Sequence, residues 1–341
     1  MLNLSDRDRL SIVADLGLTC CGDLTTSLKL IDAAKKAGAH AVKFQMLDAD
    51  ELLGDKSVEY TYPTLSDGEK TERMLDMFQK LEMTDAEWFT IKTHCMEQQI
   101  ELIVTCHVQS AVARVNDLDL NYNKICTWSI NHYHMIKALA ENGKPLIIDT
   151  GTINLVELKE LKEFYAANGG GDIIIFYDFH TNNASEFNFS AITLLKSLGY
   201  TVGYTPQGRK DWLDFMSLGT GATILEKRLT LNRETPLNGH QKAHTPDEFK
   251  AWVEKVNECF LGLGGEVLKA TQDDVKMSST FYKSARLIRT VEKGEIINKN
   301  DFTFQRPGTG VSSKQIFRDF DGKTYDQNYQ IGDYFEDPNK T

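Results

Sequence analysis

Short apolar runs alternate with helix-patterned stretches from the start of the chain to about residue 262. The runs are SIVADLG (11–17), HAVKFQ (40–45), IELIVTC (100–106), NKICTW (123–128), PLIIDTG (145–151), DIIIFYD (172–178), TVGYT (201–205) and ATILEK (222–227). They are rich in β-branched residues and nearly continuous in hydrophobicity, as strands buried on both faces should be. Helical stretches lie between them, such as LTTSLKLIDAAKKAG, where Leu24, Leu28 and Ile31 keep a three-to-four spacing and Gly38 follows as a C-cap. Eight βα units predict an α/β fold, a (β/α)8 TIM barrel. A doubly wound open sheet is the alternative, but it usually has fewer strands and a glycine-rich first turn.

One connection breaks the rhythm. Between Gln45 and about residue 83 lies a polar insert, MLDADELLGDKSVEYTYPTLSDGEK, leaving the C-terminal end of the second strand. Barrels carry their chemistry on that face, so the insert reads as a lid or as a surface loop. The barrel pattern stops near residue 265. Residues 266–282 read as a polar link, and 283–341 as a small β-rich domain that needs packing on the barrel or on a second subunit.

Composition narrows the classes. The 341 residues are 41% hydrophobic and 26% charged, which is globular usage and excludes disorder as the main theme. A formal charge of −11 offers no general field for phosphate backbones or anionic membrane, so neither nucleic acid nor membrane is an expected partner. No apolar run approaches the ~18 residues of a span, and MLNLSDRDRL lacks a signal-peptide core. Six cysteines without paired spacing suit a reducing compartment, and the expectation is a cytoplasmic protein.

Polar residues at the C-terminal ends of barrel strands face the active-site mouth. This filter keeps Asp15, Lys43, Gln45, Thr105, His107, Lys124 and Thr127 from the first half of the chain. From the second it keeps Asp149, Asp178, Tyr204, Thr205, Gln207, Glu226 and Arg228, and it discards the glycines at 169–171. Lys43 and Lys124 lie inside apolar runs, where a lysine must find a counter-charge or lose its proton. With Thr105 and Thr127 they would form a cationic pocket for a small phosphorylated or carboxylated molecule. Two other readings stand: structural pairing with Asp149 or Glu226, and Schiff-base attack by a desolvated lysine.

The segment IVADLGLTCCGDLTTSLKLIDAAKKAGAHAVKFQ resembles the opening of the sialic acid synthase family. The likeness continues through LIVTC, KICT, GKPLIIDTGT, TVGYT, EKRLTLNRETP and PDEF to an R-P-G-x-G motif at Arg306 to Gly310, the mark of an antifreeze-like C-terminal domain. The resemblance implies condensation of phosphoenolpyruvate with an N-acylated amino sugar aldehyde to a nine-carbon α-keto acid, releasing phosphate. A divalent metal would polarise the aldehyde. Lys43, Gln45, Thr105, Lys124 and Thr127 would hold phosphoenolpyruvate, and Asp15, Glu226 and His240 would be catalytic. Tyr204 and Arg306 would contact the sugar, with Arg306 reaching into the partner's barrel in a domain-swapped homodimer.

The departures matter equally. The family's two metal-binding histidines are replaced by Gln207 and Arg228, and a phosphate-contacting serine by Asp149. A relocated metal site would draw on His107, Asp178 and His180. The paired His132 and His134 read as residues at a helix start. Three functions follow: a synthase with altered metal use, an aldolase or lyase on another keto acid or sugar, and a non-catalytic partner of a true synthase.

Overall fold

A computed structural model describes residue 4, residue 6 and residues 8–206 and 208–337. The chain divides into two compact units, Met1–Gly264 and Gly265–Thr341. In the first, β1 (Ser11–Asp15) and β2 (Ala41–Met46) precede a hairpin, β3 (Glu59–Thr64) and β4 (Gly68–Arg73). Then come β5 (Glu101–Cys106), β6 (Asn123–Ile125), β7 (Leu146–Asp149), β8 (Ile173–Tyr177), β9 (Thr201–Tyr204) and β10 (Ile224–Arg228). The parallel strands β1, β10, β9, β8, β7, β6, β5 and β2 close a barrel in that order. The fold is therefore the (β/α)8 barrel, not the open sheet.

The near-continuous apolar runs follow from having a core on each side of the wall. Along β2, Val42, Phe44 and Met46 join the layer between strands and helices, while Ala41 joins an interior floor. That floor also holds Val13, Ile103, Ile147, Ile174, Phe176 and Ile224. Polar side chains of the same inward parity, Lys43, Glu226 and Asp149, stand above it, toward the strand C-termini. In the helix Leu24–Lys36 the buried residues are Ser27, Leu30, Ile31 and Ala34, with Leu24 and Leu28 flanking them. Full burial of Leu30 and Ile31 stabilises the unit by about 1.5–3 kcal/mol each. Gly38 follows with a positive φ of 96°, where a side chain would be strained.

The polar insert is more ordered than a loop. Its β3–β4 hairpin is flanked by the helices Ala49–Leu52 and Met74–Gln79. Lys70 Nζ donates to the Pro236 carbonyl over 3.0 Å, tying the hairpin to the chain that follows β10. A capping box at Thr84 and Glu87 then starts the helix that leads to β5.

The second unit has its own core, centred on Leu287, Val291, Phe302, Phe320, Tyr325 and Phe335. Two antiparallel strands, β11 (Ser284–Leu287) and β12 (Phe302–Gln305), cross it. Within the stretch expected to be a link, Gln272–Phe281 forms a helix capped by Thr271. Among the described residues no helix is long and apolar enough to cross a membrane.

Candidate active site

Strand ends β1, β2, β7 and β10 project charged side chains into a cavity of about 530 Å³ at the C-terminal mouth of the barrel. Those charges alternate around the wall. Arg228 Nε and Nη2 both lie 3.1 Å from Asp15 Oδ2, and Lys43 Nζ lies 2.6 Å from Asp15 Oδ1. Glu226 spans the two lysines, with Oε1 3.3 Å from Lys43 and Oε2 3.6 Å from Lys124. Asp149 Oδ1 closes the row 2.6 Å from Lys124 Nζ.

Burial sets how each group titrates. Desolvation would raise Asp15, but Lys43 and Arg228 outweigh it and hold the carboxyl well below its usual range. Burial would lower Lys43 and Lys124, yet the carboxylates beside them hold both above the ordinary lysine value. Asp149 goes the other way. Burial and the nearby Glu226 and Asp178 outweigh Lys124 and push it up to about 7. His107 is pushed down to about 4 by burial and by the two lysines, so it is neutral.

The cationic pocket expected from the lysines is therefore not what the barrel builds. Lys43, Arg228 and Lys242 line the cavity together with four carboxylates, Asp15, Asp149, Asp178 and Glu226. Lys124, 1% exposed, and Thr105 lie in the wall beneath and do not line it. Among the described residues that line the cavity, His107 Nε2 and Glu226 Oε2 are buried without a hydrogen-bond partner, as is Thr105 Oγ1 in the wall beneath. Unsatisfied groups gathered at one cavity point to a missing ligand or water.

Thr127 Oγ1 donates to Asp178 Oδ2 over 3.1 Å, and His180 Nε2 lies 3.6 Å from the same oxygen. His107 is held separately, its Nδ1 3.7 Å from Cys126 Sγ. The relocated metal site is thus not assembled. Among the described residues no three His, Cys, Asp or Glu side chains gather to hold an ion. Gln207 lies outside the described residues. Arg228 brings a guanidinium with no lone pair to donate. These residues do not fit a divalent metal.

A profile described as the NeuB family matches residues 30–267. The chain belongs to the NeuB family. The N,N'-diacetyllegionaminic acid synthase of Campylobacter jejuni is 28% identical over 324 residues, spanning 94% of this chain and 96% of its own. A pseudaminic acid synthase of Campylobacter jejuni is 24% identical over 335 residues, with 97% and 96% covered. In fold, this NeuB-family chain is similar to the N-acetylneuraminic acid synthetase of Leptospira borgpetersenii, with a TM-score of 0.68 and 21% identity. That match covers 79% of this chain and 90% of the other.

Further expected site residues of this NeuB-family chain do not line the cavity. Tyr204 is fully buried, its ring 5.2 Å from Phe189 in the layer outside the barrel, because its parity on β9 points outward. His240 also does not line the cavity. Its Nε2 lies 3.3 Å from Cys21 Sγ and its Nδ1 2.8 Å from Thr230 Oγ1, so it braces the loop after β10. Arg306 is in the second unit, where its Nε donates to the Phe281 carbonyl. His132 caps the helix Tyr133–Ala140, in which His134 sits.

The sequence reading missed the apolar rim. Trp128 lines the cavity at 69% exposure, its ring 4.9 Å from His180, and Tyr60, Met74 and Phe78 of the insert form another wall. A filter for polar residues at strand ends passes over all of them. Trp128 directly follows Thr127, and that position was the available signal. The wall contributed by the insert gives physical support to its lid reading.

Proposed function

We propose that this NeuB-family chain is a nonulosonic acid synthase-like enzyme joining phosphoenolpyruvate to an N-acylated amino sugar aldehyde. C3 of phosphoenolpyruvate bonds to the aldehyde carbon, water adds at C2, and the C2–oxygen bond to phosphate breaks. The product is an α-keto acid of nine carbons with inorganic phosphate. One observation carries this reading: Glu226 bridges the two buried lysines while its Oε2 is left without a hydrogen bond. In this reading the Glu226 carboxylate takes a proton from the attacking water, with Lys43 as a fixed cation 3.3 Å from its Oε1. Asp15, held ionised by its partners, serves to position Lys43 and Arg228 rather than to carry a proton. Gln45 and Thr127 line the same cavity and supply polar contacts.

The second unit is assigned to an antifreeze-like domain that sends Arg306 to the sugar bound in a partner's barrel, in a cytoplasmic homodimer. Six cysteines without disulfides accord with that compartment.

A second reading has its own support. Asp149 already engages Lys124, so that lysine is not free to hold phosphoenolpyruvate, and this is the observation behind a divergent aldolase or lyase acting without it. The experiment that separates them incubates the full chain with phosphoenolpyruvate and N-acetylmannosamine, following phosphate release and product mass. Phosphate and a nine-carbon keto acid in equal amounts support the synthase. No phosphate, together with no thermal protection by phosphoenolpyruvate, overturns it.

A further inference from the structure

Arg228 stands at the end of β10 with 24% of its side chain exposed, lining the cavity. Its Nε and Nη2 are fixed on Asp15 Oδ2. Its remaining edge, Nη1, makes no hydrogen bond among the described residues. Gly239, at φ 90°, neighbours that edge. A Cβ there would lie 3.5 Å from Nη1 and 2.9 Å from Leu18 Cδ1. Asp15 thus orients the planar fork within the cavity lining.

We propose that Arg228 takes the place of a divalent metal, its Nη1 edge holding the carbonyl oxygen of the open-chain sugar. The inference rests on the synthase reading above. As the new carbon–carbon bond forms, that oxygen gathers the electron pair of the C=O bond and becomes an alkoxide. The guanidinium stabilises the charge, and the alkoxide is finally protonated, through water at the open mouth, by the proton that Glu226 took from the water adding at C2. A guanidinium suits the task because it stays charged throughout and is held in one plane before the substrate arrives. Lys242 lines the same cavity, and burial and the Arg228 charge hold its amine below the usual lysine range.

Three measurements on the full chain test this. Manganese titration followed by electron paramagnetic resonance is expected to find no stoichiometric site. One tightly held ion per chain overturns the proposal whatever the activity. Phenylglyoxal labelling read by peptide mass is expected to show Arg228 shielded once phosphoenolpyruvate and N-acetylmannosamine are both bound. Unchanged labelling overturns it. Arg228→Gln is expected to lower kcat by about 10²–10³ and leave the KM for phosphoenolpyruvate within about threefold, with Arg228→Lys recovering part of the loss. Thermal protection by phosphoenolpyruvate checks that each variant is folded. If the parent releases phosphate but Arg228→Gln keeps parental kcat, the Arg228 inference falls alone. If the parent neither releases phosphate nor is protected, the synthase reading falls and takes this inference with it.

Discussion

Lys124 Nζ lies 2.6 Å from Asp149 Oδ1 inside the barrel wall, yet Asp149 is pushed up to about 7. One lysine serves both Asp149 and Glu226, and Asp178 adds a further carboxylate nearby, so a proton on Asp149 relieves their repulsion.

That proton has a signed consequence for stability. Between the ordinary value of 3.8 and about 7 the folded chain binds a proton at Asp149 that the unfolded chain does not. Its contribution therefore falls as pH rises through that window. Asp149→Asn removes the dependence, so its Tm relative to the parent is expected to be higher at pH 8 than at pH 5. All four tryptophans lie in the barrel unit, so their fluorescence reports that unit. A difference independent of pH would rule out a protonating Asp149.

His107 predicts the opposite slope. Its folded value of about 4 lies below the ordinary 6.5, so the unfolded chain takes up the extra proton between them. The His107 contribution is fully present above pH 6.5 and is lost as pH falls toward 4. His107→Gln should gain on the parent at pH 5 compared with pH 8. The two variants moving in the same direction would contradict this account.

Lys43 holds two carboxylates, so its loss leaves buried charge uncompensated. Lys43→Met is expected to cost about 3–5 kcal/mol in urea unfolding, since Asp15 keeps only Arg228 and Glu226 keeps only the longer contact to Lys124. Adding Glu226→Gln should recover about 1 kcal/mol or more, because the pair is coupled. A single-variant cost below about 1 kcal/mol would show the pair to be energetically idle.

An imine at either lysine requires a neutral amine, and the carboxylates beside Lys43 and Lys124 hold both protonated. Borohydride with pyruvate is therefore expected to add no mass. A trapped adduct on Lys43 or Lys124 would replace the synthase reading with an aldolase.

Arg306→Ala should weaken sugar binding in calorimetry while costing about 1 kcal/mol or less in folding, since its side chain makes one backbone hydrogen bond within its own unit. Equal sugar binding by variant and parent would remove Arg306 from the site.

By itself, the sequence determined the eight strands and the face on which Lys43, Glu226 and Asp149 would stand. Parallel strands buried on both sides leave apolar runs that need no tertiary information to recognise. It also placed His132 and His134 at a helix start. It could not say which way each residue of such a run points, because apolar residues on both faces erase the period-2 signal. Only barrel closure decided that Glu226 and Arg228 face inward while Lys227 turns outward to Asp214, and that Tyr204 joins the outer layer. The same closure set Arg228 against Asp15, 213 residues away in the chain, and ran Glu226 between two lysines from separate strands. Those contacts depend on strand order and register, which bring together side chains that no local spacing relates.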